Sequence, residues 1–342
     1  MNIKSIFGKL KDGREVIKYH LKNDKLEVNI LNYGGIITEI YQKDRDGRKE
    51  NIVLGFDNIE DYEERSPHFG CITGRVAGRL AKGRLPIDGK VYTLPVNNGE
   101  NSLHGGISGL DKKIWDVREI ENGIELSYVS EHMEEGYPGE VKFTVRYILS
   151  EGDLLVKYYG ETNQKTFVNL TNHTYFNLSA GKDKILDHKL YIDSDVFMEL
   201  GEGSIPTGIL KKVDGTVFDR RQGDNLRKIT EEQNKDIEVA GGGIDHPFVL
   251  NKKNKTEIVL RDEESGRRVE IETSEPTVVV YTGNFLGEEG GLSWGRKSEV
   301  HLGVCLETQD YPDSPNQPGI KTNFITPDKP YSAWTKYSFS ID

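Results

Sequence analysis

The sequence predicts an all-β protein, a sandwich or barrel of antiparallel strands with a few short helices. Three observations carry that expectation: apolar residues recur with a period of two, tight-turn dipeptides separate the runs, and 37 glycines accompany no long amphipathic helix. At 342 residues, 35% of them hydrophobic, the chain can bury a substantial core.

The elements follow in order. Leu26-Val28-Ile30 opens the series of alternating strands, and Ile59 to Arg65 is a short helical excursion. Val141-Phe143-Val145-Tyr147 puts four apolar side chains on one face of a strand, Glu231 to Val239 gives the second short helix, and Ile258-Leu260 and Val269-Ile271 return to the period of two. Between such runs stand Asp46-Gly47, Asp88-Gly89, Asn122-Gly123, Glu151-Gly152-Asp153 and Ser265-Gly266, which supply the positive-φ residues that tight hairpins need. Neighbouring strands are therefore expected to pair antiparallel. No Pro/Ser-rich linker or repeat divides the chain, so residues 1–342 are read as a single domain.

A net charge of −11 with interspersed signs disfavours nucleic acid, which needs clustered Lys and Arg. No stretch reaches the ~20 apolar residues of a membrane span, and the first residues lack an apolar signal core. Two distant cysteines, Cys71 and Cys305, fit a reduced chain better than a disulfide-bonded one, so the expected address is cytoplasmic. The expected partner is a neutral small molecule, with no nucleic acid or membrane, for a monomer or homodimer.

Four segments bring acid, base and hydrogen-bonding groups. Thr171 to Leu178 reads as a strand holding His173 and Tyr175 on one face and Asn172 and Thr174 on the other. A histidine flanked by aromatics is commonly a core residue, so His173 alone decides nothing. His104 stands before Gly105-Gly106, where missing side chains let a ligand, or simply a turn, approach the backbone. Gly241-Gly242-Gly243 lacks the Lys and Ser/Thr of a phosphate loop and serves to present Asp245, which could equally be an Asx-turn residue. Glu307 intrudes into the apolar run Val304 to Leu306, where burial would raise its pKa toward that of a useful base; a salt-bridged glutamate is the plain alternative. Gly291-Leu292-Ser293-Trp294-Gly295 matches a hydrolase pattern but sits in a glycine- and charge-rich loop instead of a strand-turn-helix elbow. Histidine and cysteine spacings give metal ligation little support, so no metal and no cofactor are expected.

These residues carry a family resemblance. Gly74 to Arg79, Asn101 to Gly106, Glu135 to Gly139, Asn169 to Leu178, Asp245-His246, Tyr281 to Phe285 and Leu306 to Gln309 occur in an order that resembles the aldose 1-epimerases, or galactose mutarotases, over essentially the full length. The resemblance implies a large antiparallel β-sandwich of the mutarotase supersandwich type, an open sugar cleft, a small aldose as partner and no cofactor. It implies Glu307 as catalytic base, His173 as general acid and His104 as the second active-site histidine, with Arg79 and Asp245 on sugar hydroxyls and Tyr175 lining the cleft. A carboxylate and an imidazolium so placed would favour each other's charged forms. The sequence departs from the family pattern at Gly78, where an asparagine is common, and at Val279, where some relatives carry glutamine. A noncatalytic sugar-binding protein on the same scaffold and a two-carboxylate glycoside hydrolase are the competing readings.

Overall fold

The computed structural model describes residues 3–342. Turn chemistry and register build it as expected. Each of the five turn signals joins a pair of antiparallel strands, and Gly47, Asp88, Asn122, Glu151 and Gly266 all adopt positive φ there. Three large antiparallel sheets result. Nine strands run in the order Asp116–Ile120, Gly123–Ser130, Val141–Ser150, Asp153–Thr162, Tyr331–Ile341, Arg267–Thr273, Ile258–Arg261, Lys189–Ile192 and Asp224–Asn225. Six more follow the order Tyr175–Phe176, Val304–Gln309, Thr277–Tyr281, Asp245–Leu250, Ser194–Leu200 and Pro206–Lys212, and five near the N-terminus form the third sheet.

The nine- and six-stranded sheets pack face to face. Val156, Ile271, Ala333 and Tyr337 of one meet Phe248, Val278, Val280, Val304 and Leu306 of the other in a single buried cluster. Burial of each such aliphatic side chain is worth about 1.5–3 kcal/mol, and this pressure fixes the register of the six-stranded sheet. Thr308 and Thr335 hydroxyls bond across the layers at 2.5 Å.

Local departures have local causes. Val141–Ser150 alternates buried with more exposed residues as predicted, but Glu27–Leu31 is buried on both faces, because Lys22 and Lys49 cover Glu27 and His20 and Glu39 cover Asn29 within the same sheet. The helix at Ile59–Arg65 forms, capped by the Asn58 side chain on the Asp61 N–H. Of the helix expected over Glu231 to Val239 only Lys235–Val239 forms, its start set by the Asn234 side chain, which accepts from Ile237 N–H, and a separate helical turn, Arg227–Thr230, precedes it. Thr171 to Leu178 is not one strand. Thr171–Asn172 pairs with Ile72–Thr73 and Tyr175–Phe176 with Val304–Cys305, leaving His173 in the break between two partners.

Candidate active site

Three neighbouring strands of the six-stranded sheet, Asp245–Leu250, Thr277–Tyr281 and Val304–Gln309, form one wall of a cavity of ≈ 510 Å³. Their register sets Asp245 opposite Tyr281, Pro247 opposite Val279, and Val279 opposite Glu307. Alternate strand residues face the same side. These residues and Gln309 therefore line the cavity, while His246, Val278, Val280 and Leu306 between them enter the core.

Other segments close the hollow. In the strand break, His173 donates its N–H to Cys71 O and accepts at its carbonyl from Gly70 N–H, so its backbone is as fixed as in a sheet while its ring projects into the cavity. Its Nε2 lies 3.3 Å from Glu307 Oε1, and Cys305 Sγ is 3.5 Å from Nδ1. His104 takes a left-handed φ of 50°, its ring 5.0 Å from that of His173 and perpendicular to it. The following glycine is required: a Cβ on Gly105 would stand 1.9 Å from the Gly74 carbonyl oxygen. Arg79 donates from Nε to Asn98 and from Nη1 to Asp245 Oδ2 at 3.3 Å. Tyr175 lines the cavity with its ring 5.1 Å from that of His173, its hydroxyl donating to Pro67 O. The cavity thus gathers all six candidate residues, which the sequence spreads from position 79 to 307.

Burial dominates the electrostatics. It pulls His173 down to about 3, with a further push from neighbouring His68, and lowers His104 well below the usual imidazole range. Burial likewise raises Glu307 well above an ordinary carboxyl, helped by the negative charge of Asp245 and opposed by Arg79. Asp245 is raised by burial too, though Arg79 pulls it back. Burial thus opposes the mutual stabilisation of charge expected of Glu307 and His173. Desolvation in the cavity works against the charged form of each, raising the Glu307 carboxyl and lowering the His173 imidazole.

Nitrogens of His104 and His173 and an oxygen of Glu307 lie within 4.8 Å of one another, a donor set of the kind that holds catalytic zinc. Spacing along the chain hides this convergence. The hydrogen bonding runs against ligation: His104 Nδ1 accepts from Gly78 N–H at 3.3 Å, which leaves the proton of the neutral ring on Nε2. A ligating histidine shows the reverse, its second nitrogen donating. His104 is instead arranged as a hydrogen-bond donor.

A profile of the aldose 1-epimerase family matches residues 18–338. The chain belongs to the aldose 1-epimerase family. Bovine (Bos taurus) galactose mutarotase is 43% identical over 99% of this chain and 98% of its own length. Among solved structures, an aldose epimerase homologue from C. elegans superposes with a TM-score of 0.88 at 29% identity, covering 94% of this chain and 98% of its own. Galactose 1-epimerase from Lactobacillus acidophilus gives 0.87 at 27% identity, covering 100% and 99%. Within this epimerase family fold, both departures noted in the sequence face the cavity, Gly78 with φ +73° and Val279 beside Glu307.

The sequence reading of this epimerase missed His68. It lines the cavity with its ring 4.7 Å from that of His104 and 5.7 Å from that of His173, and its Nδ1 is 3.4 Å from Asp111 Oδ2. The available signal was a histidine between Pro67 and Phe69-Gly70, which looks like loop punctuation until the turn is folded against the other histidines. Gln309 was noticed only as part of a motif, yet it lines the cavity with both amide atoms unpartnered among the described residues. No helix among the described residues is long and apolar enough to cross a membrane.

Proposed function

We infer that this single domain is an aldose 1-epimerase, an isomerase that interconverts the α and β anomers of free aldohexoses such as galactose and glucose. One observation carries the assignment of roles: inside a sugar-sized cavity Glu307 Oε1 and His173 Nε2 stand 3.3 Å apart. Anomer exchange needs one proton removed from the anomeric hydroxyl and one delivered to the ring oxygen, and these are two groups able to do so side by side.

The proton count of the pair suits the task. A carboxylic acid beside a neutral imidazole and a carboxylate beside an imidazolium hold the same number of protons, differing by one transfer across the gap. When the sugar's polar groups replace the missing solvation, the pair's single proton stands on His173; the Glu307 carboxylate then takes the anomeric proton as the His173 imidazolium donates its own to the ring oxygen, giving the open-chain aldehyde. Rotation about the C1–C2 bond and the reverse transfers close the other anomer and restore both groups. Positioned acid and base groups commonly supply about 10²–10⁴ each in rate. His104, a donor by its tautomer, steadies charge developing near the ring oxygen, and the Arg79–Asp245 pair holds hydroxyls through charged hydrogen bonds. Buried free Cys71 and Cys305 support a reducing, cytoplasmic setting, with the enzyme acting as monomer or homodimer. Polarimetry on freshly dissolved α-galactose or α-glucose tests the reading: the protein should speed the drift to the equilibrium rotation, and a drift no faster than in buffer would remove it.

A further inference from the structure

We propose that His68, backed by Asp111, is a specificity residue that reads the substituent on C5 of the pyranose through a hydrogen bond to the C6 hydroxyl of a hexose. The inference rests on the epimerase reading and extends it to which sugars the cavity distinguishes.

His68 is held with care. It is a non-glycine residue at φ 66°, a conformation that persists only where the surroundings enforce it and that recurs at ligand-binding sites. Its ring packs on His104 and His173, yet its side chain is 23% exposed where that of His173 is 5% exposed, so it stands on the solvent side of the other two. Asp111, itself buried, faces Nδ1 at ion-pair range. The carboxylate stands outside hydrogen-bond geometry, but its negative charge favours the ring proton on the nearer nitrogen, Nδ1, and leaves Nε2 for a ligand.

The chemistry of ring opening fixes which part of the sugar meets it. The anomeric hydroxyl and the ring oxygen are both bonded to C1, so a base on the first and an acid on the second set the sense of the ring. Beyond the hydroxyl the next carbon is C2; beyond the ring oxygen it is C5. Asp245, paired with Arg79 at 3.3 Å, stands on the same strand wall as Glu307, two strands across the ladder, which puts it toward the C2 side. His68 packs on His173 and His104 instead, which puts it toward C5. In an aldohexose the polar group there is the hydroxymethyl.

The test compares D-galactose, 6-deoxy-D-galactose and L-arabinose, whose pyranose rings share stereochemistry and differ in the C5 substituent, by kcat/KM from polarimetry. The wild-type protein should lose about tenfold from galactose to 6-deoxygalactose, the scale of one hydrogen bond. His68→Phe keeps a ring in the stack and should lower galactose to the 6-deoxygalactose value, chiefly through KM, leaving the other two sugars within about twofold. Should the Phe variant not fold, His68→Asn, which tolerates the left-handed backbone, should show the same selective loss; Asp111→Asn should show a smaller one. Equal handling of galactose and 6-deoxygalactose by the wild type would overturn the proposal, as would a parallel drop for all three sugars in the His68 variants. Wild-type protein that turns over none of the three would instead remove the epimerase reading beneath it.

Discussion

His173 and His246 are alike in almost every property a single residue can have. Both are buried, both lie among aromatic rings, and burial pulls both down to about 3. His246 packs at 4.8 Å from the ring of Phe218 and 5.7 Å from that of Phe197, with Nε2 unpartnered among the described residues. His173 faces His104, His68 and Glu307 across an open cavity. A depressed basicity therefore marks burial and not catalysis; what separates the two is the convergence of other polar groups on one of them. His246 even follows Asp245 directly, but strand alternation sends the aspartate to the cavity and the histidine to the core.

Substitutions can break or sharpen that comparison. The largest effect should come from Glu307→Gln, which keeps shape and removes the base: about 10³-fold or more off kcat with an unchanged circular dichroism spectrum, near-normal turnover being the result that denies Glu307 its role. His173→Asn should cost about 10²–10⁴ in kcat, whereas His246→Leu should leave kcat/KM within about threefold; comparable losses in both would erase the distinction. His246 should show itself in stability instead. Its folded pKa lies below the unfolded value near 6.5, so its contribution is complete above pH 6.5 and is lost as pH falls toward about 3. Urea titrations from pH 7 to 4 should therefore show a loss on the order of a few kcal/mol, reduced in His246→Leu. Asp245→Asn should raise KM roughly tenfold with kcat little changed, as expected of a group that binds ground and transition states alike. The smallest effect is expected from chelation: dialysis against EDTA should leave the rate unaltered, and a loss restored by one divalent ion would mean His104 ligates despite its bond from Gly78.

Initial rates against pH probe the same pair. The Glu307–His173 couple takes on a second proton only near the depressed histidine value and loses its single proton only at the raised glutamate value. Activity should thus persist well into mild acid and fall on the alkaline side as the couple is emptied.

Much of this was readable in one dimension because its causes are local. Asn122-Gly123 needs only its own backbone to turn, and Glu307 is conspicuous simply by standing beside Val304, Cys305 and Leu306. The break at His173 depends on Cys71 and Gly70, a hundred residues away, and so does not show in a run that reads as continuous strand. His68 and the close approach of His104, His173 and Glu307 are products of chain folding, as is the desolvation that disfavours charge on Glu307 and His173. The helix expected over Glu231 to Val239 starts late for a smaller reason, the capping power of Asn234.

The ladder that carries Val279 and Glu307 has one further implication. Its two sides answer to different demands, so a randomised library confined to Pro247 and Val279 would vary the sugar's surroundings while leaving the hydrophobic interior untouched. Most members of such a library should still fold, which makes this protein a practical starting point for retuning sugar preference.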